Sequence, residues 1–128
     1  MSKKTESSSV SDKLTKAQFD FYQKNANEFI EKLGLKEYKV YYCFEGVKDG
    51  YGQCAVDHDG GMAIIWLANK WDGFVKPTKE NLREVACHEV LELLLSRLYD
   101  MALTDGVDEK YAAEERHRLI RRLEKLLV

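Results

Sequence analysis

No stretch of this chain approaches the twenty or so consecutive apolar residues of a membrane span, and its opening, Met1-Ser-Lys-Lys-Thr-Glu-Ser-Ser-Ser, lacks the apolar segment of a secretory signal. The expectation is a soluble, cytoplasmic protein with no membrane partner. A basic excess is also missing: 20 Lys and Arg stand against 22 Asp and Glu, for a net charge of −2, so no nucleic-acid partner is inferred. Cysteine is scarce. Cys43, Cys54 and Cys87 are odd in number and widely spaced, which fits neither a disulfide framework nor a zinc ribbon, and in their apolar-rich segments they read as small buried thiols. Cys87 precedes His88, but neighbours on a helix point about 100° apart, which argues against a thiolate–imidazole pair. There are no internal repeats, and the one proline is Pro77.

What is present suits one domain. Residues 1–13 are rich in Ser, Lys and Glu and should form a disordered tail, leaving 14–128 as a single domain large enough for a core. Thr15-Lys16-Ala17-Gln18 has capping-box spacing and opens a helix over about 16–33, with Phe21, Tyr22, Phe29, Ile30 and Leu33 as its apolar face and Gly34 as its stop. The period then changes to that of strands. Lys39–Phe44, Tyr51–Val56 and Met62–Leu67 are aromatic and β-branched runs separated by Gly- and Asp-containing turns, and they predict a three-stranded antiparallel meander. His58, between Asp57 and Asp59, reads as a turn residue rather than a metal ligand. After Pro77, Thr78 can cap a helix over about 79–102, and Asp105-Gly106 breaks it. Asp108 caps a last helix over about 109–127. Its apolar face is Tyr111, Leu119, Ile120, Leu123, Leu126 and Leu127, while Arg116, Arg118, Arg121 and Arg122 are expected to face solvent. The fold class expected is α+β.

The stretch from Glu84 to Leu95 is apolar almost all the way round, yet holds His88, Glu89 and Glu92 in its middle. His88 and Glu92 are four apart, one above the other on a helix, with Glu89 on the next row. Burying unpaired charge costs several kcal/mol or more, so such a stripe needs counter-charges, a wet cleft or a metal ion. The plain alternative is a polar edge paired with Arg116, Arg121 or lysines. His-Glu followed by a ligand four residues after the His is also the geometry by which a helix holds Zn²⁺, with the Glu within reach of the water. A third ligand would come from the last helix, which offers Glu114, Glu115 and His117. Counted from the Asp105-Gly106 turn, His117 lies about as deep as His88 and Glu92, so the preferred metal set is His88, Glu92 and His117. A di-iron carboxylate bundle would need four long helices, and a sheet occupies the middle of this chain.

With a helix, a small sheet, a His-Glu helix and a closing helix, the chain resembles the small zincin-like metallopeptidases of the SprT-like sort, particularly the compact ones of tailed-phage genomes. The resemblance covers about residues 15–128 as architecture, and its specific residues are His88 and Glu89. It implies a zinc-dependent hydrolase in which His88 is a ligand and Glu89 the general base for water attacking a peptide carbonyl, with a peptide or protein as substrate. The chain departs from the family's His-Glu-x-x-His, because Glu92 stands where the second histidine would be. The alternative expectation is therefore an inactive zincin-like scaffold, an accessory or inhibitor protein of a phage or mobile element that binds a host protein in the host cytosol.

Overall fold

The computed structural model describes residues 11–128. It is an α+β fold of three helices and two small sheets, with β1 Asp12–Lys13, α1 Lys16–Leu33, β2 Lys39–Glu45, β3 Gly52–Asp57, β4 Met62–Ala68, β5 Lys70–Trp71, α2 Lys79–Thr104 and α3 Glu109–Leu127 in chain order. No helix among the described residues is long and apolar enough to cross a membrane. Of the expected tail, residues 1–10 lie outside the described residues, while Asp12 and Lys13 pair antiparallel with Trp71 and Lys70. This two-stranded ribbon comes from what looked like tail and loop, and it fixes Trp71, which is 1% exposed.

The helix ends follow local side-chain chemistry. Thr15 accepts from the Gln18 amide while the Gln18 side chain accepts from the Thr15 amide, the reciprocal pair of a capping box. Gly34 takes the left-handed conformation, φ 70°, that closes α1. Thr78 Oγ1 accepts from the Asn81 amide at 3.1 Å, and Asp108 Oδ2 from the Tyr111 amide at 3.1 Å, satisfying first-turn donors of α2 and α3.

The sheet is not the expected antiparallel meander. Its order is β2-β4-β3, with β3 antiparallel to β4 and β2 parallel to it, Lys39 opposite Met62 and Glu45 opposite Ala68. The reason lies in β4 itself. Met62-Ala63-Ile64-Ile65-Trp66-Leu67-Ala68 is apolar throughout, with Ala63, Ile65, Leu67 and Ala68 buried, so it takes the centre and leaves the mixed strands β2 and β3 at the edges. Residues 46–51 must then cross the end of β4, about 10 Å between strands two positions apart, which six residues reach easily. The crossing is tied down by the Ala68 amide donating to Tyr51 O at 2.9 Å and the Asn69 amide donating to Glu45 O at 3.2 Å.

This topology positions the site. It sets β3 beside α2, and the 46–51 crossing delivers Lys48, Asp49 and Gly50 to the mouth of a cleft. Helix α2 packs against α1, α3 and β3, which is why it is apolar nearly all round. The core joins Tyr22, Ala26 and Phe29 of α1, Ile65 and Leu67 of β4, and Leu82, Ala86, Val90, Leu91 and Leu93 of α2. Tyr22 keeps its hydroxyl satisfied by donating to Trp66 O at 2.9 Å. Arg83 binds the three helices together: Nη1 donates to Asn25 Oδ1 of α1 at 2.7 Å, and Nη2 reaches Leu127 O of α3 at 3.5 Å.

Several expected exposures differ. On α3, Ala112 and Ile120 are buried and Leu123 and Leu127 pack against the core, whereas Tyr111, Leu119 and Leu126 are exposed. Arg116 does not face solvent with the other arginines; it is half-buried, and its guanidinium carbon sits 4.0 Å over the Tyr99 ring. His58 is more than a turn residue. Its Nδ1 is 3.3 Å from the Tyr38 hydroxyl, and its Nε2 is 3.0 Å from Asp100 Oδ2 of α2, within ion-pair range but off the line of a hydrogen bond.

Candidate metal centre

His88, Glu89 and Glu92 lie mid-way along α2, where the helix turns one face towards α3 and the start of β3. They line a cleft of about 650 Å³ together with Gly52, Glu84, His117 and Glu124 and the 48–51 segment. The four-residue spacing does what helical geometry requires: His88 Nε2 is 3.1 Å from Glu92 Oε2. From α3, His117 presents its ring edge to His88, with centroids 5.4 Å apart and planes at 71°. One ligand atom from each of His88, Glu92 and His117 lies within 4.8 Å of the others. Glu114 and Glu115 are not part of this group, and Glu115 is bonded instead to Arg118 at 2.7 Å.

The electrostatics separate Glu89 from Glu92. Glu89 is 5% exposed, and burial, reinforced by the nearby Glu92 carboxylate, pushes its carboxyl up to about 8 against the pull of His88 and Arg116. Its Oε1 is buried without a hydrogen-bond partner. Burial works against ionisation of Glu92 too, but the hydrogen bond with His88, aided by Arg116 and His117, carries it below the usual range. His88 is raised above the ordinary imidazole value, first by its hydrogen bond with Glu92 and against burial. At neutral pH burial therefore favours the protonated form of Glu89 beside an ionised Glu92.

Tetrahedral Zn²⁺ with bonds of about 2.0–2.2 Å places neighbouring ligand atoms roughly 3.3–3.6 Å apart. The 4.8 Å spread is wider by little more than 1 Å, and His117, exposed on α3, has room to close it. Two imidazole nitrogens and one carboxylate oxygen are donors zinc accepts, and the unpartnered Glu89 oxygen is a buried polar atom in want of a partner in the same cleft. The residues present fit a divalent cation.

Two participants were missed from the sequence. One is Glu124, which places Oε2 3.3 Å from His88 Nδ1. Its signal was its position seven residues after His117, two turns on along the same face. Gly52 was the other: the backbone of β3 passes so close to α2 that a side chain there would strike Val85 and Glu89. Ser96, one turn beyond Glu92, is buried and donates to Leu93 O at 2.7 Å. The thiols take no part. Burial raises the Cys54 thiol and pushes Cys87 up to about 12, so neither is a nucleophile at neutral pH.

Comparison of the chain with family models, curated proteins and solved structures finds no match.

Proposed function

We propose that this cleft is the zinc site of a small metallopeptidase-like hydrolase with a zincin-like arrangement, in which His88, Glu92 and His117 hold the ion and Glu89 is the general base. The observation that carries the reading is the convergence of three ligand atoms, drawn from two helices, beside a buried carboxyl that has no partner. A zinc ion supplies Lewis acidity, which polarises a carbonyl and acidifies water. Glu89 contributes the proton traffic. Its carboxyl is held near neutrality, where a group can both take and return a proton, and a cation in the cleft would shift it towards the carboxylate that a base must be. His88 and Glu92 are fixed relative to each other by the helix, and Gly52 lets the β3 backbone close over Glu89 and limit its water. The substrate class is a peptide or protein chain that the open cleft admits.

A second reading is a non-catalytic scaffold, an accessory or inhibitor protein of a phage or mobile element that binds a host protein. The exposed apolar side chains Leu98, Val107, Tyr111 and Leu119, around a groove of about 250 Å³ where α2 meets α3, favour it. The deciding experiment is elemental analysis of protein purified without added metal, followed by turnover of an unfolded protein substrate. About one zinc per chain is expected, lost in His88→Ala and in His117→Ala. Glu89→Gln should keep the zinc and lose hydrolysis by about 10²–10⁴-fold. A chain that takes up no zinc overturns the metal site, and a zinc protein whose hydrolysis is indifferent to Glu89→Gln leaves the scaffold reading.

A further inference from the structure

Both ring nitrogens of His88 are contacted, one of them from outside the three ligand side chains. Its Nε2 faces Glu92 at 3.1 Å, and on the opposite edge of the ring Nδ1 is 3.3 Å from Glu124 Oε2. Glu124 is half-buried and belongs to α3, the helix that also supplies His117. Ile120 lies between the two, three residues after His117 and four before Glu124, and is 0% exposed. A single buried side chain thus anchors the face that carries both. Glu84 lines the same cleft one turn before His88 and could in principle serve the ring, but it is exposed and makes no hydrogen bond among the described residues. Arg121 lies one turn before Glu124 and offers a surface ion pair; the carboxylate turns inward to the imidazole instead.

We propose that Glu124 is the positioning residue of this site, accepting the Nδ1 hydrogen of His88 so that the Nε2 lone pair is committed to the point shared with Glu92 and His117. The proposal rests on the metal reading above and adds a fourth side chain to it. An imidazole has two nitrogens and, when neutral, one hydrogen. A carboxylate bonded to Nδ1 fixes which nitrogen is free, holds the ring plane, and makes the free nitrogen a stronger donor to a cation. Glu124 touches neither the cation nor a substrate; it acts through His88. The arrangement makes α3 a double contributor, one ligand and one ligand-orienting group on the same stripe, so the site forms only when the last helix is docked.

The test is the zinc dissociation constant of the full chain, measured by competition with a chromogenic chelator at fixed pH, in wild type, Glu124→Leu, Glu124→Gln and Glu115→Gln. Glu124→Leu should weaken zinc binding about 10–100-fold. Glu124→Gln keeps an oxygen that can accept from Nδ1 and should fall between wild type and Leu, while Glu115→Gln, which removes an exposed ion pair of the same helix, should bind as wild type does. In the zinc-loaded wild type the His88 Nδ1 hydrogen should give a slowly exchanging proton resonance that Glu124→Leu abolishes. If leucine disturbs the packing, Glu124→Ala repeats the comparison without added bulk. A wild type that binds zinc alongside Glu124 variants that bind it equally well overturns the role of Glu124 alone. A wild type that binds no zinc overturns the metal reading and this inference with it.

Discussion

The Cγ of Glu89 lies 3.1 Å from the position that a Cβ on Gly52 would occupy, and Val85 Cγ1 lies 2.9 Å from the same point. The third neighbour, Trp66 O at 3.1 Å, is backbone of the central strand and already accepts from Tyr22, so it does not yield. Gly52→Ala should therefore push on α2 at its most polar turn. We expect a loss of about 1–3 kcal/mol in stability, read by urea denaturation, with weaker zinc binding as Glu89 and its neighbours shift. An alanine variant as stable as the parent would mean that β3 and α2 are not in close contact.

The buried Glu89 carboxyl predicts a pH dependence of the metal-free protein. Its folded-state value, about 8, is above the ordinary 4.5. Below about pH 4.5 both folded and unfolded chains carry the proton and the group is neutral in its effect. Between pH 4.5 and 8 the unfolded chain releases the proton while the folded chain retains it, so stability falls as pH rises, by up to about 1.4 kcal/mol per unit, and levels off above 8. Glu89→Gln has no such proton. Its stability relative to wild type, measured in chelator at pH 5, 6.5 and 8.5, should grow across that window, and parallel profiles would refute the assignment.

Ile120 supplies a test of how the last helix is held. It is fully buried, and Ile120→Ala should cost about 2–4 kcal/mol through lost burial and the cavity left behind. Because His117 and Glu124 flank it on the same face, zinc affinity should fall together with stability even under conditions where the variant is folded. Loss of stability with unaltered affinity would show that the docking of α3 does not define the site.

Much of the framework was legible from short-range chemistry. The capping residues Thr15, Thr78 and Asp108 and the stop at Gly34 act through bonds to residues a few positions away, and each marks its helix in the structure. The His88–Glu92 spacing is likewise local, and matching depth along two antiparallel helices was enough to bring His117 to them. Strand pairing is a different matter. Nothing in β2 alone states whether it will lie beside β3 or β4; the available hint was that β4 is apolar on both faces, the mark of a central strand. Glu124 and Arg116 were hidden for the same reason. On an arginine- and glutamate-rich helix, which charges turn inward depends on what lies opposite, here His88 for one and the Tyr99 ring for the other.

The parallel partnership of β2 with β4 bears on the route by which the chain reaches this shape. The β3–β4 hairpin closes across a tight turn at 58–61 and can form on a microsecond timescale, whereas β2 must wait for the finished far edge of β4 before it has anywhere to add. Its partner is more than twenty positions away in sequence and reachable only by closing a longer loop, which is entropically slower. Assembly is therefore expected to run outward from the β3–β4 hairpin, with β2, the N-terminal strand of this sheet, adding last.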